Sequence, residues 1–135
     1  MKTAKPIVKK AAKASIDALM IANGSTARAF AGALQGDSLP YVKLGPGTET
    51  DAGDKTSDCS EVLIPYTVWS FNQDEAETLA GLIQEELTGS TKLTLDAPFT
   101  IISQELDVNP PTETDRLQQN TIYGASVQVR FLVEH

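Results

Sequence analysis

Residues 60–87, SEVLIPYTVWSFNQDEAETLAGLIQEEL, constrain the fold more than any other stretch. Val62, Ile64, Tyr66 and Val68 share one parity, and Leu63, Pro65, Thr67 and Trp69 share the other. Successive strand side chains point to opposite faces, so this alternation predicts a half-buried strand. Asn72 then stands as an N-cap with Glu75 three positions on, the spacing of a capping box. Ala76, Leu79, Ala80, Ile83 and Leu87 follow at helical spacing, and Gly89 is placed to stop the helix. A strand that feeds a helix within a few residues demands a sheet with that helix packed on it.

The rest of the chain is read around this unit. At 135 residues it predicts a single domain over 1–135, large enough to bury roughly two thirds of its unfolded surface. The one cysteine, Cys59, excludes an internal disulfide and a cysteine-rich metal site, and it makes intracellular assembly the default expectation. Charge is unevenly spread. Lys2, Lys5, Lys9, Lys10 and Lys13 precede the first acid, Asp17, while the chain from Ala14 onward holds six basic and eighteen acidic residues, a net of −12. Such a body repels nucleic acid unless one face is locally basic. The lysine-rich start reads first as a solvated helix face, with contact to phosphate or anionic lipid as the alternative. Asp17 interrupts the only apolar run there, so no signal peptide is expected, and no stretch reaches the ~18 apolar residues of a membrane span.

Pro6 to Ala22 predicts the first helix, with Val8, Ala12, Ser15, Leu19 and Ala22 on one side and Asn23-Gly24 ending it. Thr26–Ala31 and Pro40–Leu44 read as short strands around a loop at 32–39. Gly45-Pro46-Gly47 stops the second of them, and 48–59 reads as a polar loop. After the central strand and helix, Thr91–Leu95 reads as a small strand and Phe99–Leu106 as a longer one. Residues 107–121 read as a second polar loop stiffened by Pro110-Pro111, and the cleanest alternation, 122–134, closes the chain. The order predicts an α+β fold: a mainly antiparallel or mixed sheet of about five or six strands, with two helices on one face.

No catalytic constellation stands out, and the expectation is a protein that is not an enzyme and carries no cofactor and no metal. The sole histidine, His135, is the last residue, so Cys59 has no histidine partner in view. Asp51, Asp54 and Asp58 have the wrong spacing for a calcium loop and read as solvated acids. Glu85 and Glu86 are adjacent on a helix and point apart. Trp69 reads as core or interface before it reads as a stacking platform for a base.

Pro40-Tyr41-Val42, then Val68-Trp69-Ser70, then the helix carrying Glu75 and Ala76, then Val129-Arg130-Phe131 occur in an order and spacing that resemble the tail-completion or tail-terminator proteins of long-tailed bacteriophages and gene-transfer agents. The resemblance runs from about Ala4 to Glu134, and each motif is short, so its specificity lies in their order. The 107–121 stretch is longer and richer in proline than the family pattern. The resemblance implies a virion protein of the tail or neck, assembled in the host cytoplasm, with no catalytic residues. It implies self-association into a ring, commonly a hexamer, with a free monomer as the state before assembly. The implied partners are the tail tube protein and the head connector or stopper, with no membrane and with DNA passing through the lumen without sequence-specific binding. Six copies at −7 each come to about −42, an acidic lumen that repels DNA. The two polar loops become the expected docking elements: Thr48, Glu49, Asp51, Asp54, Lys55 and Asp58 in the first, and Asn109, Pro110, Pro111, Glu113, Asp115 and Arg116 in the second. The alternatives are another neck or minor tail protein and, from a different class, a small-ligand or nucleic-acid binding module that uses the lysine helix.

Overall fold

A computed structural model describes residues 3–30, 39–52, 58–89, 92–117 and 119–134. The elements are α1 (Lys5–Ala22), β1 (Ala29–Phe30), β2 (Tyr41–Leu44), β3 (Thr48–Asp51), β4 (Cys59–Ser70), α2 (Gln73–Thr88), β5 (Thr100–Val108), β6 (Glu113–Leu117) and β7 (Asn120–Glu134). The α+β class holds. Among the described residues the sheet has seven strands rather than five or six, because two polar stretches read as loops are strands.

β4 and β7 form the spine. They pair antiparallel over twelve residues, from Cys59 opposite Glu134 to Ser70 opposite Tyr123. At about 3.4 Å per residue that spans roughly 37 Å. Each flank is a strand broken in two. β2 and β3 both pair with β4, at Tyr66–Trp69 and Ser60–Leu63 respectively. β5 and β6 both pair with β7, at 128–134 and at Asn120–Gly124. β1 runs parallel to β2 at the far margin.

The first break has a local cause. The Gly45 amide donates to the Pro65 carbonyl at 2.8 Å, so Pro65 turns its missing N–H toward the same gap. A Cβ on Gly45 would sit 2.5 Å from the Pro65 ring, and Gly47 has φ +68°. Glycine is required at both. The second break is 109–112, where Pro110 and Pro111 cannot donate to a ladder.

Both helices lie on one sheet face. Val62, Ile64, Tyr66 and Val68 of β4 and Val127, Val129, Phe131 and Val133 of β7 share a core with Ala76, Leu79, Ala80, Ile83 and Leu87 of α2. The α1 stripe differs from expectation: Ala4, Val8, Ala12, Ile16 and Met20 are buried, while Ser15 is half-buried and Ala22 exposed. A strict i, i+4 row places Ile16 and Met20, both large, toward the core. α1 ends as expected, with Gly24 at φ +72° and the Ser25 amide donating to the Met20 carbonyl, a Schellman closure.

α2 starts as expected, the Asn72 side chain accepting from the Glu75 amide at 3.2 Å. The return arm runs through an extra residue. Ser70 Oγ donates to the Glu75 carboxylate and accepts from the Asn72 amide. Gly89 ends the helix in extended backbone rather than the left-handed conformation, and a Cβ there would lie 2.8 Å from the Glu85 carbonyl.

Further corrections follow from polar pairing. Residues 92–95 are not a strand: the Leu93 amide is taken at 2.6 Å by Gln104 Oε1 of β5, whose Nε2 donates to the Leu87 carbonyl at 2.7 Å. One buried amide side chain thus holds both the end of α2 and the segment after it. Thr48–Asp51 is β3, with no apolar side chain on either face, so it shows no apolar alternation. Residues 107–121 divide into the end of β5, the proline break and the β6–β7 hairpin. The expected first strand shortens to Ala29–Phe30, and the expected loop at 32–39 lies almost wholly outside the described residues.

Candidate functional site

With both helices on one face, the outward side chains of β4 and β7 stay half-exposed: Glu61, Leu63, Pro65, Thr67 and Trp69 alternate with buried neighbours, as do Ser126, Gln128, Arg130 and Leu132. This open face has three zones. At the end near β3, Arg130 Nη2 donates to Asp107 Oδ1 at 2.8 Å, Gln128 Nε2 donates to Asp107 Oδ2 at 2.8 Å, and Glu61 lies 3.7 Å from Arg130 Nε. In the middle, Thr67 and Ser126 hydroxyls bond at 2.9 Å beside Pro65. At the far end the Trp69 indole lies over Gly124, where a Cβ would come within 2.8 Å of the ring.

The short motifs meet here. Tyr41 is the register partner of Trp69 on the open side, and Val42 is the partner of Val68 on the core side. Partial burial raises the Tyr41 phenol pKa, and the nearby Asp115 carboxylate adds to it. The periodicity of β4 could have placed Trp69 on this side, but only the register shows Gly124 as its seat.

The expected docking residues divide into two groups. Thr48, Glu49 and Asp51 are in β3, and Asp58 precedes β4, at one end of the spine. Glu113, Asp115 and Arg116 are in β6 at the other end, after the exposed Asn109, Pro110 and Pro111. Asp54 and Lys55 lie outside the described residues. The structure keeps the groups apart, near opposite ends of the ~37 Å spine. The β6–β7 hairpin also projects: Asn120 to Ile122 pair with β6 but extend past Ser70, where β4 ends.

Glu49 has an internal task. Its Oε2 and Oε1 accept from the Ala4 and Lys5 amides at 2.9 and 3.0 Å, capping α1, whose own N-cap Ala4 has no side-chain acceptor. The lysines of α1 face solvent as expected, and two of them make ion pairs there. Lys13 pairs with Asp17 at 2.8 Å and Lys10 with Asp96 at 3.3 Å. Among the described residues no group of three or more His, Cys, Asp or Glu could hold a metal ion. No helix among the described residues is long and apolar enough to cross a membrane.

The described residues thus form a two-layer module with one open sheet face and polar elements at both ends of its long strands. Residues 9–134 match the model of the family described as Tail completion protein gp17, and the chain belongs to that family. The family is one of structural phage tail proteins rather than enzymes, and the chain is a structural component of a virion tail. In fold it is similar to a chain of the virion of a native gene transfer agent (GTA) particle, with TM-score 0.73 and 19% identity over 96% of each chain. A comparison with curated proteins returns no match.

Proposed function

We propose that the chain closes the tail tube as a ring of identical subunits, most simply a hexamer, ending tube growth and joining tail to head. The observation that carries this is the separation of its two polar groups, β3 with Asp58 at one end of the spine and the projecting β6–β7 hairpin at the other. A subunit built so can touch the tail tube protein with one end and the head connector with the other. The similarity to a chain of a gene transfer agent virion supports the reading. The net charge of −12 from Ala14 onward favours a lumen that DNA crosses without sticking.

The test is to shorten the hairpin by replacing Arg116–Thr121 with a two-residue Asn-Gly turn. The melting temperature of the chain should change by no more than a few degrees, while electron microscopy should show tails and filled heads that fail to join. Normal joining by a folded, shortened protein would overturn the docking role of the hairpin.

A further inference from the structure

The two lateral margins of the sheet are unlike, and their chemistry is complementary. β5 pairs with β7 along one side only and ends the strand order. Its Ile102, Leu106 and Val108 are 39%, 39% and 48% exposed, among the few large apolar side chains exposed in the described residues. Glu105 is exposed between them, and the strand has no lysine or arginine. Edge strands of lone monomers are commonly guarded by lysine or proline against pairing with another chain. β5 has neither; two register shifts are its only irregularity.

At the opposite margin, Lys5, Lys9, Lys10, Lys13 and Pro6 of α1 wall a hollow of about 410 Å³ with Leu44 of β2 on its floor. Lysine stems make apolar walls and leave ammonium groups at the rim. Lys10 and Lys13 have acidic partners, whereas Lys5 and Lys9 enter no salt bridge among the described residues. In a chain of net charge −7, basic charge is thus gathered at one margin. The hollow suits an apolar side chain with a carboxylate beside it in the chain. Leu106, next to the exposed Glu105, is such a segment on the margin that needs cover, whereas Asp107 on its other side is already held by Arg130 and Gln128.

We infer that the β5 margin of one copy seats in the α1–β2 hollow of the next, with Leu106 entering between the lysine stems and Glu105 meeting Lys5 and Lys9. This rests on the proposed ring and names its subunit contact. The two surfaces are different patches of one molecule, so the contact is heterologous and repeats from copy to copy until it closes. Each exposed ion pair is individually weak, and the apolar seat carries more of the contact.

The test is charge reversal, read as the protein concentration needed to form rings on purified tail tubes, by electron microscopy and sedimentation. Lys5→Glu with Lys9→Glu should raise that concentration at least tenfold, and Glu105→Lys should do the same. Combining all three should recover most of the loss, with melting temperatures showing that each variant is folded. Leu106→Asp should abolish the contact. Rings that form equally well in every charge variant, or losses that the combination does not recover, would overturn this interface and leave the ring reading standing. A wild-type chain that forms no ring at all would remove both. If the lysine variants instead lose binding to a 30-nucleotide single strand while rings persist, the hollow is a polyanion site and the inference fails.

Discussion

Tyr66 is fully buried in β4, and its hydroxyl has no hydrogen-bond partner among the described residues. An orphaned polar group in a core is destabilising, and phenylalanine removes it with the ring retained. Tyr66→Phe should therefore raise stability by on the order of 1 kcal/mol, measured by denaturant unfolding. Burial raises the phenol pKa above its ordinary value of 10.0. The unfolded chain ionises first on the alkaline side, so titration of this group leaves stability unchanged below pH 10 and lowers it as pH rises above that value. The variant should lose part of that alkaline decline, and an unchanged slope would refute the assignment. The burial of Tyr66 was legible from alternation. Its unpartnered hydroxyl was not, because a partner is a matter of which atoms surround it.

Glu49 argues for the element scale. In sequence it sits in an unbroken polar run and reads as a docking residue; in the structure it binds the start of α1 from β3, more than forty residues along the chain. Helix starts carry unpaired amides and a partial positive charge, and a carboxylate answers both. Glu49→Ala should cost about 1–2 kcal/mol and lower the melting temperature by several degrees, with α1 amides exchanging faster with solvent. A variant as stable as the wild type would return Glu49 to the docking set. The elements most legible in sequence, β4, α2, β7 and α1, are those with one wet and one dry face, and β2 and β5 are legible to within two residues of their bounds. β3 and β6 are made almost wholly of polar residues, TETD and ETDRL, so nothing in their composition separates them from loops. They are strands because the long neighbours β4 and β7 offer free ladder groups, and that is a property of the neighbours. The same applies to Gln104, which satisfies groups on two segments and reads in sequence as one more strand residue.

At the scale of the molecule, the class of fold and the family were legible, because both depend on the order of a few patterned segments. The distribution of the candidate site was not. The two polar groups look alike in sequence, yet the antiparallel spine carries them to opposite ends, and charge that is N-terminal in sequence gathers beside β2 at one margin of the sheet. The motif pairs acquire meaning only with register, since Tyr41 beside Trp69 faces outward while Val42 beside Val68 faces the core. The open face therefore combines an aromatic end, a hydroxyl middle and an Arg130–Asp107 end along one spine.

Trp69 is the single tryptophan of the chain and lies half-exposed on that open face, seated on Gly124. Its emission is thus an intrinsic optical reporter of whether the face is wet. Covering the face on assembly should shift the emission maximum to shorter wavelength and protect the indole from acrylamide quenching. Equal quenching of free and assembled protein would mean that subunits and partners leave this face bare. Gly124→Ala, which pushes the ring off its seat, should redden the free protein's spectrum without any partner present.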